Sequence, residues 1–329
     1  MKEPRSILTV HRKMGTIGLM EQKQKLKRNL IFESVYHGGT SITITDFLRQ
    51  EASISGRSLR QYFFKGLILL NQKKAHSKAL LKDGDLIQVY GVGAEHQTLK
   101  PEALSLDIVY EDDDLLVINK PAQLAVHPSG KITSGTLANG IAAYFEKIKL
   151  KIKVRPVNRL DYGTSGLIIF AKKPEIQTRL TAATQHNQIH RIYYVVVQGV
   201  PSQERGIIDL PIGQSPDIKA NQRTVTEEGK SAVTHYKVIE KFNGNALLEL
   251  SLKTGRTHQI RVHLSHSGFP ILGDPQYGIP SPFIKRPALH AGKLNFSDAD
   301  FSIPELIAPF PEDFNALLNA LDITKPTGF

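Results

Sequence analysis

The spacing of β-rich runs after residue 104 constrains this chain more than any other feature. Asp107–Tyr110 and Leu115–Asn119 are separated only by the turn Glu111–Asp114, too short for the crossover that joins parallel neighbours, so the two pair antiparallel. Further β runs follow at Gly166–Ala171, Ile192–Val197, Ala232–Ile239, Ala246–Leu252 and Gln259–His263. Helical signals sit at Thr136–Phe145, Lys173–Thr184 and Pro311–Leu321. The alternation is irregular and several strand pairs are close in sequence. This predicts an α+β fold with a mixed, largely antiparallel central sheet, not a Rossmann core. Gly91-Val-Gly93 runs on into Ala-Glu-His without opening a helix, so no dinucleotide or phosphate-loop fingerprint is present.

Residues 29–94 read as a separate, small α/β unit. Strands are expected at Leu30–Tyr36, Leu67–Asn71 and Leu86–Tyr90, with helices at Asp46–Glu51, capped by Thr45, and from Gly56 to Lys65. From Arg57 to Lys82 the chain carries Arg57, Arg60, Lys65, Lys73, Lys74, Lys78 and Lys82 without one acid. Crowding that charge on a small unit calls for a polyanion to neutralise it. The whole chain agrees: 42 Lys and Arg against 31 Asp and Glu in 329 residues leave +11. RNA is the partner that this charge suggests first. Residues 1–28 read as a basic arm, a solvated terminus in preference to an RNA tether, with Met20 an alternative start; 95–104 read as a linker and 105–329 as a second domain.

Composition removes other chemistries. Without cysteine there are no disulfides, iron–sulfur clusters, Cys-ligated zinc or thiol nucleophiles. No apolar run approaches the ~18 residues of a membrane span, and Arg5, His11, Arg12 and Lys13 interrupt any signal-peptide centre. A cytoplasmic protein without a membrane partner is expected.

Two segments carry the chemistry. In Arg155-Pro-Val-Asn-Arg-Leu-Asp161-Tyr-Gly-Thr-Ser-Gly166, an Arg-Leu-Asp tripeptide enters a glycine-bounded turn that leads into a buried strand. Gly163 and Gly166 would allow positive φ and close backbone approach. Asp161 can thus present a carboxylate to a cleft, although the same residues equally make a simple Asx-turn. In Leu252-Lys-Thr-Gly-Arg-Thr-His-Gln-Ile-Arg-Val-His-Leu264, Arg256, His258, Arg261 and His263 interleave with Ile260 and Val262. As a strand this would set Arg261 and His263 on one face, and an Arg leading into core needs an anion, for which Asp161 is one candidate. The His258/His263 spacing suits no usual zinc site.

Together these segments resemble the RluA-like pseudouridine synthases, with their His-Arg-Leu-Asp-x-x-Thr-Ser-Gly and later Gly-Arg-x-His-Gln-(Ile/Leu)-Arg-x-His. Asn119-Lys-Pro-Ala122 with Val126-His-Pro128, Arg191-Ile-Tyr193, Ile271-Leu-Gly-Asp-Pro-Gln-Tyr277 and Leu289-His-Ala291 match further landmarks in order, over residues 105–321. Departures are Asn158 for the family's His, Arg191 for its Lys, and Phe296-Ser-Asp-Ala-Asp300 for a Phe-x-His-Pro. Residues 29–94 are similar to the small RNA-binding module shared with a ribosomal small-subunit protein, on Ser55-Gly-Arg-Ser-Leu-Arg60, Gly66–Asn71 and Asp83-Gly-Asp-Leu-Ile87; a β-rich dimerisation domain is the other reading.

The resemblance implies an isomerase that detaches uracil from ribose, turns it and rejoins it through carbon, without metal or organic cofactor. It implies Asp161 as nucleophile, held charged and oriented by Arg261. Tyr193 would stack on the uracil and accept the ring proton, and Arg159 would fill the space that the extracted uridine leaves. RNA contacts are expected from Arg256, His258, Arg57, Arg60 and Lys65, on ribosomal RNA in preference to tRNA, with the enzyme a monomer. The competing readings are a catalytically idle RNA-binding or ribosome-assembly factor and a glycoside hydrolase, which would require a second carboxylate.

Overall fold

A computed structural model describes residues 30–38, 42–52, 54, 56–91, 98–214, 222–297 and 299–326. The basic arm expected over 1–28 and part of the 95–104 segment lie outside the described residues.

The N-terminal strands form a four-stranded sheet in the order Leu30–Val35, Leu86–Tyr90, Ile68–Leu70, Lys73–Lys74, every pair antiparallel. Helices Ile44–Gln50 and Gly56–Phe64 accompany it, and Ile44, Phe47, Leu48, Leu59, Tyr62, Ile68, Ile87 and Val89 make a core of their own. The first helix is capped by Thr43, not Thr45: the Thr43 hydroxyl accepts from the Asp46 amide, while Thr45 donates to the Ser77 carbonyl. Two threonines this close can each cap, and a tertiary contact removes the second.

From residue 108 on, a larger sheet runs Arg205–Asp209, Val233–Phe242, Asn245–Leu252, His190–Gln198, Leu289–Asn295, Ser165–Ala171, Leu115–Lys120, Ile108–Glu111. Its pairs along this path are antiparallel except Leu289–Asn295 against Ser165–Ala171. The fold is α+β with a mixed, largely antiparallel sheet. Strand alternation feeds two cores. Leu116, Ile118, Ile168 and Phe170 pack with helix Leu137–Lys147 and with Phe314 of helix Glu312–Ala320, whereas Leu115, Val117, Leu167 and Ile169 pack with helix Pro174–Gln185. Covered on both faces, these strands read as unbroken apolar runs. Residues 100–104 lie against helix Leu137–Lys147: Asn139 donates to the Lys100 carbonyl, and Leu104 fills the space beside Gly140. No helix among the described residues is long and apolar enough to cross a membrane.

The expected strand Gln259–His263 is instead a helix, Gln259–His266. Residues 259–264 are all buried, so their apolar–polar alternation does not mark a strand's two faces. Helical geometry separates the side chains into different environments. Ile260 and Leu264, one turn apart, enter the main core, and Val262 joins a small cluster with Ile212 and Ala232. Arg261 and His263 then point apart, not together. His263 is hydrogen-bonded to the Thr234 hydroxyl and the Leu210 carbonyl, away from Arg261's partners.

The parallel pair is closed by His290, which is fully buried. Its Nε2 faces the Ala308 carbonyl at 3.1 Å, so that nitrogen carries the hydrogen and Nδ1 accepts from the Ser165 hydroxyl at 2.9 Å. Burial pushes the imidazole from 6.5 down to about 4. The unfolded chain takes up this proton near pH 6.5 and the folded chain resists it to about pH 4, so the unfolded state binds more protons in that window and stability is lost on acidification, by up to about 3 kcal/mol. Denaturant midpoints between pH 7 and 4 should fall more steeply for the wild type than for His290→Gln; parallel profiles would show that His290 titrates normally.

Candidate active site

Asp161 stands on the turn that delivers the chain into the strand Ser165–Ala171, closed by the Thr164 amide donating to the Asp161 carbonyl at 3.1 Å. Of the two flanking glycines only Gly166 takes positive φ, at +108°, and a Cβ there would come within 2.2 Å of the Ala291 carbonyl oxygen. Gly163 serves close approach alone, since a Cβ there would lie 2.8 Å from Pro287. The turn is held from behind by two buried cations. Arg286, paired with Asp313 through two 2.7 Å bonds, donates to the Gly163 carbonyl at 3.4 Å. Lys120 donates to the carbonyls of Pro121, Leu124 and Tyr162 at 2.8, 3.0 and 3.5 Å. Burial, reinforced by Arg286 and opposed by Asp161, brings the Lys120 ammonium down to about 7.

Helix Gln259–His266 supplies the other half. Its start is fixed by His258, a non-glycine residue in the left-handed region at φ 58°, and by Gln259, whose carbonyl accepts from the Arg256 amide and the Thr254 hydroxyl while its amide reaches Val233 and Thr234. A side chain held in that backbone region stores strain of the kind concentrated at functional sites. Arg261 lies one turn in, beneath the Asp161 carboxylate. Its planar fork grips the fully buried Asp274 with Nε and Nη2, both at 2.7 Å, and the remaining Nη1 donates to Asp161 Oδ2 at 3.3 Å. The Tyr277 ring covers the guanidinium, 4.8 Å from its carbon. The anion expected for Arg261 is thus chiefly Asp274, with Asp161 taking the free corner. Hydrogen bonding and charge from Asp274 and Asp161 outweigh burial and raise the guanidinium above its usual value.

His258 approaches Asp161 from the same side, Nε2 to Oδ2 3.9 Å. The Arg223 amide donates to the Tyr277 oxygen, so the phenol's proton is free to go to His258 Nδ1 at 2.8 Å, leaving the hydrogen on Nε2 toward Asp161. Burial lowers His258, which holds this ring neutral.

These groups open on a cleft of about 630 Å³. Among the described residues Asp161 is its only carboxylate, beside Arg159, Arg191, Arg256, Arg261 and Lys253. Tyr193, 5 % exposed, lies on the strand His190–Gln198 at the cleft wall, and burial raises its phenol, with Arg191 opposing and Asp161 reinforcing. Arg191 shares that strand face and is itself buried; its Nε and the Asn158 amide nitrogen have no hydrogen-bond partner. Two of the three departures from the family pattern, Asn158 and Arg191, therefore line the same cleft. Among the described residues no three His, Asp or Glu side chains group as a metal site would need.

The structure thus gathers Asp161, Tyr193, Arg261, Arg159, Arg256 and His258 around one cleft. Arg159 and Arg256 are exposed at its rim, bonded to the Thr257 hydroxyl and the Ser231 carbonyl. Arg57, Arg60 and Lys65 lie on or just after helix Gly56–Phe64, Arg60 and Lys65 exposed and the Arg57 side chain outside the described residues. Sequence reasoning quoted Lys120, Asp274 and Tyr277 within motifs but gave them no role. The acid of Gly273-Asp274 was the available signal, because a buried Arg next to one acid leaves most of its donors unmet.

The model of the RNA pseudouridylate synthase family matches residues 114–266. RNA pseudouridine synthase YlyB of Bacillus subtilis is 38 % identical over 273 residues, 81 % of this chain and 89 % of its own. Ribosomal large subunit pseudouridine synthase D of Neisseria meningitidis is 37 % identical over 271 residues, covering 78 % and 72 %. Among solved structures, human RNA pseudouridylate synthase domain containing 4 superposes with a TM-score of 0.56 at 25 % identity, covering 67 % of this chain and 94 % of that one. With relatives this similar over most of both chains, the chain belongs to the RNA pseudouridine synthases, isomerases that convert uridine to pseudouridine.

Proposed function

We propose that this enzyme modifies ribosomal RNA and that Asp161 is its nucleophile. The observation that carries the second point is that, among the described residues, Asp161 is the one carboxylate lining the cleft, whose other charged side chains are Arg159, Arg191, Lys253, Arg256 and Arg261. A glycoside hydrolase would need a second acid facing the bond, and the nearby Asp274 is fully engaged with Arg261 and closed to solvent. The ribosomal target rests on relatives such as the Neisseria meningitidis protein named for the large subunit. The small basic unit at 29–94 joins 105–329 as a separate RNA-gripping domain, and a cytoplasmic monomer fits this reading. Mapping pseudouridines in rRNA and tRNA of a deletion strain tests the target; sites lost only from tRNA would overturn it.

In this mechanism Arg159 at the rim enters the space vacated by the uridine, whose extraction costs a few kcal/mol and is offset by stacking on Tyr193. Asp161 attacks with the geometry set by Arg261, which cannot swing because Asp274 fixes two of its edges. Tyr193 is a neutral phenol in the free enzyme. Once Asp161 forms a covalent bond its negative charge is gone, which removes the smaller of the two causes that raise the phenol, while burial, the larger, remains. Arg191 then opposes burial alone.

Asp161→Asn keeps shape and the Arg261 contact but removes charge and nucleophile. It should fold with a loss of at most about 2 kcal/mol, because Arg261 retains Asp274, bind RNA near wild-type affinity and release no tritium from carbon-5-labelled uridine. Wild-type-like release would sink the assignment. Arg261→Lys loses the planar fork; turnover should fall at least about tenfold with a stability loss of about 2–3 kcal/mol, read by single-turnover rates beside thermal melts. Tyr193→Phe keeps the stacking face, worth ~1–3 kcal/mol per base. RNA binding should survive while a rearranged adduct accumulates, and unimpaired turnover would reduce Tyr193 to a platform.

A further inference from the structure

Helix Gly56–Phe64 turns Leu59 and Tyr62 into the small core and half-buries Phe63. Phe64 nonetheless stands in solvent, 91 % exposed, the most exposed large hydrophobic side chain among the described residues. Its surroundings are cationic. Arg60 lies one turn back on the same side of the helix, and Lys65 follows directly. Lys74, from the edge strand Lys73–Lys74, crosses Gly66, where a Cβ would meet its Cε at 2.8 Å and its Nζ at 3.2 Å. Among the described residues Arg60, Lys65, Lys73 and Lys74 form no ion pair with an acid.

An exposed aromatic face with one cation a turn back, one next in sequence and one beside Gly66 is poorly matched to an apolar protein patch, which would have to desolvate those charges. It matches a nucleotide, whose base stacks on the ring while its phosphates meet the cations. We propose that Phe64 is the stacking platform for an unpaired RNA base, with Arg60, Lys65 and Lys74 on the flanking phosphates. This rests on the RNA reading above and adds that the bound RNA offers the 29–94 unit an unpaired nucleotide, at a point separate from the cleft that takes the target uridine.

The chain has no tryptophan, so Phe64→Trp introduces a single fluorophore at the site. Affinities are measured for a transcript carrying an unpaired extension and for its fully paired counterpart, over a range of salt. Phe64→Leu, apolar but without a π face, should lose about 5- to 100-fold in affinity for the first RNA, with the salt slope unchanged. Lys74→Ala should flatten that slope by about 0.7–0.9. Phe64→Trp should retain affinity and be quenched on binding. Three results would overturn the proposal: wild-type affinity of Phe64→Leu, an equal loss on paired RNA, or Phe64→Trp emission that follows protein concentration and ignores RNA, which marks a self-association surface. Pseudouridine formation by the wild type on the same transcript scores the enzymatic reading separately.

Discussion

The close contact between Gly166 and Ala291 orders much of what surrounds the cleft. Two strands from distant parts of the chain approach this closely at Gly166 because residue 166 has no side chain to strike the Ala291 carbonyl. That contact comes five residues after Asp161, so it fixes where the turn ends. The same strand Leu289–Asn295 pairs on its other edge with the strand bearing Tyr193, with Ala291 opposite Tyr193. The Asp161 turn and the Tyr193 strand are therefore registered through one shared strand. A larger residue at 166 would shift both, and overpacking against backbone costs ~1–3 kcal/mol even where relaxation is possible.

Electrostatics is layered on that frame in a definite order. A buried guanidinium shared between two carboxylates invites competition, and here geometry settles it. Asp274, with no exposure of its own, takes the two short bonds, and its Oδ1 also accepts from the Gln276 and Tyr277 amides. Asp161 receives a single longer bond and keeps part of its carboxylate open to the cleft. An acid locked in a bidentate pair would be a poor nucleophile; one tethered at a corner stays directed and free to react. In the proposed mechanism, Asp161 stays reactive because Arg261 has a better partner in Asp274.

Legibility in the sequence followed the same physics. Runs such as Leu115–Asn119 and Gly166–Ala171 announced themselves because both of their faces are buried. Local pattern left Asp161 open, since the same turn serves equally as an Asx-turn, and only the resemblance singled it out. Gln259–His263 was misread for the reason that made the others readable: its Ile260 and Val262 suggest a strand, whereas the helix is imposed by separate cores claiming Ile260, Val262 and Leu264. No local pattern encodes which core a residue will meet. Asp274 stayed without a role because its significance lies in a contact across thirteen residues that depends on that unforeseen helix.

Asn158 and Arg191, two of the three departures from the family pattern, sit on different elements yet line the same cleft, and each retains a buried donor with no partner among the described residues. Asn158 spends its carbonyl on the Ile169 amide, which fixes its amide nitrogen as the free end. Donors alone on a wall repel nothing that carries oxygen, and an unmet buried donor costs about 1–3 kcal/mol in the empty enzyme. Both nitrogens are buried, so that cost is carried within the fold beneath the cleft surface.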